Sequence, residues 1–272
     1  MAKIAVLQMT SGIDPEANAA TIARAMGDAA KSGATMLFTP EMSGFLDRDR
    51  ARACLAIRAE DDDRVLAAAR RGAADHGLWI ALGSLAIDRG DGAWANRSFV
   101  IDPTGAIRAR YDKIHMFDVD LASGESWRES SAYHAGAEVV SLPQTPVGAL
   151  GLSVCYDLRF PALFAALGDR RCDAIAVPAA FTVPTGEAHW HVLLRARAIE
   201  ASAFVIAAAQ VGAHEDGRST YGHSLVIDPW GEVLLDLGGE EPGLGFAEID
   251  LERVTQVRAQ VPSLANRREI VR

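Results

Sequence analysis

The sequence predicts an α/β architecture of two mixed sheets packed face to face, with helices covering each outer face. Three observations carry this prediction. Strand-like apolar runs alternate with helical stretches. The runs are apolar almost without interruption, as strands covered on both faces are. The order also occurs twice: Ser98-Phe99-Val100-Ile101-Asp102-Pro103-Thr104-Gly105 returns as Ser224-Leu225-Val226-Ile227-Asp228-Pro229-Trp230-Gly231, identical except at Phe99/Leu225 and Thr104/Trp230. An internal pseudo-two-fold symmetry follows.

In the first half, Lys3 to Met9 reads as a strand and Asp14 to Ser32 as a helix. Asp14 is placed to cap it, Pro15 suits its first turn and Gly33 ends it. Ala34 to Phe38 is a strand running into Pro40-Glu41. The next helix spans Asp62 to His76, with Val65, Leu66 and Ala69 on one face and Gly77 as its stop. Leu78 to Leu85 is a strand, and Arg97 to Ile101 with Ala106 to Tyr111 forms a hairpin around Asp102-Pro103-Thr104-Gly105. The second half repeats that order. Its parts are a strand at Ala149 to Val154, a helix at Phe160 to Leu167, a strand at Ala174 to Val177, a helix at Glu187 to Glu200, a strand at Ala203 to Ala209 and the returning hairpin. No Gly/Ser/Pro-rich linker divides the halves. One domain over 1–272 is expected, with a core of about 3–249 and a tail of about 253–272 that wraps a neighbour or frays. The loop from Phe117 to Gly136 is long for a structureless connection, which favours a functional role.

A hydrophobic content of 49% supplies a large core, and a net charge of -9 argues against nucleic acid or an anionic membrane as partner. Cys54, Cys155 and Cys172 form neither a close pair nor a zinc spacing, which suits a reducing compartment. The N-terminal residues lack a signal-peptide pattern. No apolar run approaches the roughly 20 residues of a membrane helix. A soluble cytoplasmic enzyme is the expectation.

The chemistry lies at strand ends. Cys155 follows the apolar run Ala149 to Val154 and precedes Tyr156-Asp157-Leu158-Arg159-Phe160-Pro161, a strand-to-helix elbow where a thiolate would be favoured. Cys54 and Cys172 lack such a setting and read as small buried hydrophobes. His115, His189, His191 and His223 could each pair with a thiol, yet none has a signature spacing. His189-Trp190-His191 has no acidic or cysteine ligand to complete a metal clamp. Glu41 is the stronger base: Pro40 fixes the chain, and Phe38 and Phe45 supply apolar mass expected to raise its pKa. Lys113, in Tyr111-Asp112-Lys113-Ile114-His115, could stabilise an oxyanion together with a backbone N–H at the elbow. Arg159 either binds a substrate carboxylate or pairs with Asp157.

Pro40-Glu41, Tyr111 to His115 and Gly151 to Pro161 resemble, in that order, the three signature segments of the nitrilase superfamily of carbon–nitrogen hydrolases. The resemblance runs from about Lys3 to Ile249 and implies a four-layer α-β-β-α sandwich with a Glu41, Lys113 and Cys155 triad. Ala180 to Trp190, Leu193 to Glu200, Ala208 to Gly212 and Tyr221 to Ser224 resemble the Nit amidases, and within them the branch acting on deaminated glutathione. That branch implies hydrolysis to 2-oxoglutarate and cysteinylglycine through a cysteine thioester, a metabolite repair reaction. An omega-amidase acting on 2-oxoglutaramate, another nitrilase, or a non-catalytic scaffold of the same fold are the alternatives. The match also implies that Glu129, in Trp127-Arg128-Glu129-Ser130, positions Lys113 and the substrate. In this mechanism the Tyr156 N–H shares the oxyanion with Lys113. Arg159, Phe181, Thr182 and Trp190 are candidates to line the pocket, although Phe181 and Trp190 could equally be core. Arg195 and Arg197 read as helix-packing or interface residues. Met42-Ser43-Gly44-Phe45 departs from the Phe-Asp pattern of animal members at a segment that can line the acyl pocket. No metal or organic cofactor is needed. A homo-oligomer, dimer or higher, is expected through outer helices such as Glu187 to Glu200, whose Val192, Leu193, Ala196 and Ile199 face a neighbour or the chain's own sheet.

Overall fold

A computed structural model describes residues 1–120, 122, 124 and 126–268. The first half contains β1 (Ala2–Gln8), α1 (Pro15–Lys31), β2 (Met36–Phe38), α2 (Arg50–Ala56), β3 (Arg58–Ala59), α3 (Arg64–His76), β4 (Trp79–Asp88), β5 (Trp94–Ile101) and β6 (Ile107–Asp112). A small hairpin of β7 (Asp118–Asp120) and β8 (Ser126–Arg128) links the halves. The second half contains β9 (Ser141–Thr145), β10 (Gly148–Leu152), α4 (Pro161–Asp169), β11 (Ala174–Ala176), α5 (Val183–Ala201), β12 (Phe204–Ala207), β13 (Val211–Ala213), β14 (Ser219–Tyr221), β15 (Leu225–Ile227) and β16 (Val233–Asp236). β17 (Gly243–Ile249), α6 (Leu251–Gln260) and α7 (Ser263–Asn266) follow.

One sheet has the order β17-β1-β2-β4-β5-β6, with β3 added at β4, and the other has β16-β15-β12-β11-β10-β9. Both follow one path. The parallel trio β1-β2-β4 matches β10-β11-β12. Each trio continues into an antiparallel hairpin on one side and ends on an antiparallel strand on the other. The register repeats as well, with Ile80 opposite Ile101 and Val205 opposite Ile227. The duplicated octapeptide closes the same turn twice. Asp102 Oδ1 accepts the Thr104 N–H at 2.8 Å, and Asp228 Oδ1 accepts the Trp230 N–H at 2.9 Å. Gly105 and Gly231 follow at φ 79 and 87, where glycine escapes the strain a Cβ would add.

Alternation builds the layers. Ile4, Val6, Met36 and Phe38 join Leu150, Leu152, Ala174 and Ala176 in the core between the sheets. Ala5, Leu7 and Leu37 point the other way, onto Ile22 and Met26 of α1 and Val65 and Leu66 of α3. On the second sheet, Leu163 and Phe164 of α4 and Leu194 and Ala198 of α5 cover the outer face. Each such side chain, fully buried, stabilises the fold by about 1.5–3 kcal/mol relative to exposure. This is the predicted α-β-β-α sandwich.

Several local expectations change. α5 begins at Val183 rather than Glu187, because Pro184 in its first turn needs no N–H partner there. Within the described residues the tail does not fray but forms helices that pack on its own chain. Arg253 reaches Asp228 at 2.8 Å, Arg258 reaches Asp173 at 3.2 Å and Arg267 reaches Asp169 at 2.6 Å, so α6 and α7 dock on their own chain. Residues 269–272 of the tail, and 121, 123 and 125 of the long loop, lie outside the described residues. Cys54 is exposed on α2, contrary to its reading as a buried hydrophobe, whereas Cys172 is buried. Arg197 packs within the chain, its Nε donating to Leu158 O at 3.0 Å. Arg195 donates likewise to Gly231 O at 2.8 Å. Among the described residues no helix is long and apolar enough to cross a membrane.

Candidate active site

Three strand ends converge at one place. Glu41 lies just past β2, Lys113 directly follows β6 and Cys155 lies just past β10. All three side chains are almost wholly buried. Lys113 Nζ is 2.9 Å from Glu41 Oε1 and 2.8 Å from Glu129 Oε2. The Glu41 carboxylate also accepts the Ala180 N–H at 2.9 Å and lies beside the Cys155 thiol. Lys113 therefore sits between two carboxylates, one of which neighbours the thiol.

The elbow is held by a single acid. Asp157 is fully buried and accepts the Tyr111 hydroxyl at 2.6 Å, the His115 N–H at 3.0 Å and the Val154 N–H at 2.9 Å, with His115 Nδ1 2.6 Å away. Tyr111 and His115 flank Lys113, so one carboxylate ties the lysine segment to the thiol turn. Of the two roles open to Arg159, the pair with Asp157 does not form, because those lone pairs are already taken. Cys155 itself has φ 48, a left-handed conformation costing about 1–3 kcal/mol in a residue with a Cβ. Its N–H donates to Pro178 O at 2.8 Å, which holds the strained turn. The Tyr156 N–H meets no protein acceptor among the described residues.

The electrostatics overturn two expectations. Burial pushes the Glu41 pKa up, but the Lys113 charge and hydrogen bonds from Cys155, Lys113 and Asn96 outweigh it, and the group ends below the usual carboxylate value. Burial and the neighbouring Glu41 charge push the Cys155 thiol well above its ordinary value, more than Lys113 lowers it. At rest the pair is a carboxylate beside a neutral thiol, not a thiolate stabilised by a helix end. Burial alone would lower the Lys113 pKa, yet Glu129, Glu41 and Cys155 together raise it well above its ordinary value. The cluster can pass a proton from thiol to carboxylate beside a fixed positive charge.

Glu41, Lys113, Glu129, Cys155 and Tyr156 border a cavity of about 830 Å³. Of the proposed pocket residues, Phe181 and Thr182 line it. Trp190 does not: it is fully buried, packs on Phe181 at 4.9 Å and donates its indole N–H to His223 O at 2.8 Å. Its large apolar ring belongs to the core behind the pocket wall. Arg159 lies beside the cavity wall, over the Phe181 ring at 5.1 Å and 3.2 Å from His189 Nδ1. The long loop contributes Trp127, Arg128, Glu129 and Tyr133 to the lining.

Sequence reasoning passed over Asn96. It is completely buried in β5, and its Nδ2 donates to Glu41 Oε1 at 2.9 Å and Glu129 Oε1 at 3.0 Å, joining both acids around Lys113. A polar amide next to an apolar strand run was the available signal. Arg48 and Arg218 at the mouth were also missed. They sit in connecting segments whose path the sequence does not reveal.

A two-sheet sandwich with a carboxylate, an ammonium and a thiol meeting at a pocket floor defines a class, hydrolases built for carbon–nitrogen bonds. The chain belongs to the carbon-nitrogen hydrolase family, which it matches over residues 3–259. It is 40% identical to the human deaminated glutathione amidase, over 97% of this chain and 82% of that protein. It is also 40% identical to the nitrilase and fragile histidine triad fusion protein NitFhit of Caenorhabditis elegans, over 97% of this chain. The chain spans 60% of that fusion protein's length. The NitFhit crystal structure superposes with a TM-score of 0.89 at 38% identity, covering 98% of this chain and 66% of that one. An amidase from Nesterenkonia sp. AN1, crystallised after Michael addition of acrylamide at its active-site cysteine, matches with a TM-score of 0.80 at 28% identity, covering 96% of this chain and 98% of that one.

Proposed function

We propose that the chain is an amidase that hydrolyses deaminated glutathione to 2-oxoglutarate and cysteinylglycine, with Cys155 as nucleophile. The observation that carries this reading is the Glu41 carboxylate, bonded at once to Lys113 and the Ala180 N–H and bordering the same large pocket as the Cys155 thiol. Glu41 takes the thiol proton as Sγ attacks the amide carbonyl, and Lys113 with the Tyr156 N–H holds the oxyanion. Glu41 then protonates the departing amine as the C–N bond breaks, leaving a thioester on Cys155. Water, deprotonated by Glu41, attacks the thioester; the acid leaves and the thiol regains its proton. Glu129 and Asn96 hold Lys113 and Glu41 in register. Phe181 and Thr182 border the acyl group.

The leaving group is supported by size. A cavity of about 830 Å³ has room for a tripeptide-sized acid. Curated relatives named for deaminated glutathione, at 38–40% identity over nearly the whole chain, support the same branch. The free cysteines are compatible with a cytoplasmic setting. Exposed Val192 and Ile199 on α5, with Trp230 and Leu234 on the adjoining hairpin, favour a homo-oligomer. Light scattering on the purified chain tests the oligomer. The substrate is tested by rates on deaminated glutathione, 2-oxoglutaramate and a simple nitrile. Negligible turnover of the first, with clear turnover of either other, removes this branch; no turnover of any leaves the scaffold reading.

A further inference from the structure

We propose that His191, His223 and Asp236 form a binding site for a d-block dication such as Zn²⁺, outside the thiol pocket. Two elements bring the three together: His191 from α5, and His223 just ahead of β15 with Asp236 at the end of its hairpin partner β16. No local spacing announces them, since the acidic ligand that His189-Trp190-His191 lacks in sequence arrives from another strand. His189 takes no part and lies against Arg159 instead.

The geometry suits a metal. His191 Nε2 is 3.0 Å from Asp236 Oδ2, and His223 Nδ1 is 2.9 Å from Asp236 Oδ1. All three ligand atoms lie within 4.8 Å of one another. Tetrahedral zinc with bonds of about 2.0–2.1 Å needs ligand-to-ligand edges of about 3.3 Å, so only the two imidazoles must close in. Two imidazoles and one carboxylate select zinc, cobalt, nickel or copper over magnesium or calcium, which prefer all-oxygen shells. Side-chain exposures of 34%, 24% and 34% leave the ion a path from solvent and room for water as further ligand.

The site is also built rather than casual. His223 has φ 52, and both of its backbone groups are engaged: its N–H donates to Gly238 O at 2.7 Å and its O accepts the Trp190 indole at 2.8 Å. The Gly238 N–H orients Asp236 Oδ1 at 2.9 Å. The Tyr221 ring stacks on His223 at 4.4 Å and fixes its plane. A bound ion would pin α5 to the β15-β16 hairpin, directly behind Trp190 and the Phe181 wall.

The test uses the full chain carrying Cys155→Ala, so that the pocket thiol cannot bind metal, stripped with a chelator and titrated with Zn²⁺ calorimetrically and with Co²⁺ by visible absorption. Expected are a single site with a Kd in the micromolar range and a Co²⁺ spectrum without thiolate charge-transfer bands, which excludes Cys54. His191→Ala and Asp236→Asn should each weaken binding at least about tenfold. His191 lies on a half-exposed helix face, so its variant reports binding even where a change at strained His223 impairs folding. Zn²⁺ should also raise the melting temperature of the parent and not of the His191 variant. No binding up to about 1 mM, or equal binding by the parent and both variants, overturns the proposal and leaves a hydrogen-bonded trio.

Discussion

Two proline turns occupy the same place in the two sheets and bring different things. Past β2, Thr39-Pro40-Glu41 delivers a carboxylate. Past β11, Val177-Pro178-Ala179-Ala180 delivers only backbone: Pro178 O for the Cys155 N–H at 2.8 Å and the Ala180 N–H for Glu41 at 2.9 Å. The asymmetry recurs one strand away. Ile4 pairs with Met36 as Leu150 pairs with Ala174, so the residue matching Cys155 is Met9. Met9 bridges to Gln210, whereas Cys155 turns left-handed at φ 48. The doubled frame supplies equivalent strand ends, and chemistry resides where the halves differ. Neither half holds the whole cluster.

The largest break in that comparison is Cys155→Ala. It should lower hydrolysis by about 10⁴-fold or more, read as initial rates on deaminated glutathione. Adding Met9→Cys should restore nothing, because that end lacks the elbow and the Asp157 clamp. Recovery above background would mean that the halves are interchangeable.

Glu41→Gln comes next, at about 10²–10⁴-fold in kcat/KM. The same carboxylate sets the acid limb. Its pKa lies below the ordinary 4.5, so the base form persists down to that pH, and the thiol is pushed well above its ordinary 9.0. Activity should therefore be flat between these values and fall only in more acid solution. A midpoint in the kcat/KM profile near neutrality would show that another group is the base. The stability sign follows: a folded pKa below the unfolded one gives a contribution present above 4.5 and lost as pH falls through the folded value.

Asp157→Asn should be a stability loss before it is a rate loss. Its two oxygens serve Tyr111, Val154 and His115, and an amide there would point N–H groups at donors. Unpairing buried donors predicts about 2–4 kcal/mol, measured by urea unfolding. An unchanged midpoint would mean that the elbow keeps its shape without the clamp, and that strand-end position alone separates Cys155 from Met9.

What the sequence made legible divides along the same line. The duplicated octapeptide disclosed the frame because a strand-turn motif is local, and the buried strands betray themselves by apolar runs. β17 escaped because Gly243 and Gly245 dilute its pattern, and only β1 shows that it belongs there. Glu41, Lys113 and Cys155 were readable from motifs, whereas Asn96 and the partners of Asp157 depend on contacts between segments far apart in the chain. Trp190 read equally as pocket and as core, since an aromatic at helical spacing looks the same in both; only burial decides. The pKa directions could not be read either. Burial and charge oppose each other at Glu41, and the winner depends on distances of about 3 Å.

The smallest predicted effect tests the frame where it is most alike. Asp102 and Asp228 make the same turn, yet Arg253 of α6 holds Asp228 Oδ2 at 2.8 Å, while Arg108 lies 3.4 Å from Asp102 and is 55% exposed. Asp102 has the Thr104 hydroxyl at 2.6 Å as its extra partner, a group that water can satisfy in its place. Each Asp→Ala change loses the turn hydrogen bonds, about 1 kcal/mol. At Asp228 the lost anchor for α6 should add about 1 kcal/mol more. The two variants should thus differ by a few degrees in melting temperature, with Asp228→Ala the lower. Adding Arg253→Leu to each should erase the difference, because the turns themselves are equivalent and only the docked helix tells them apart.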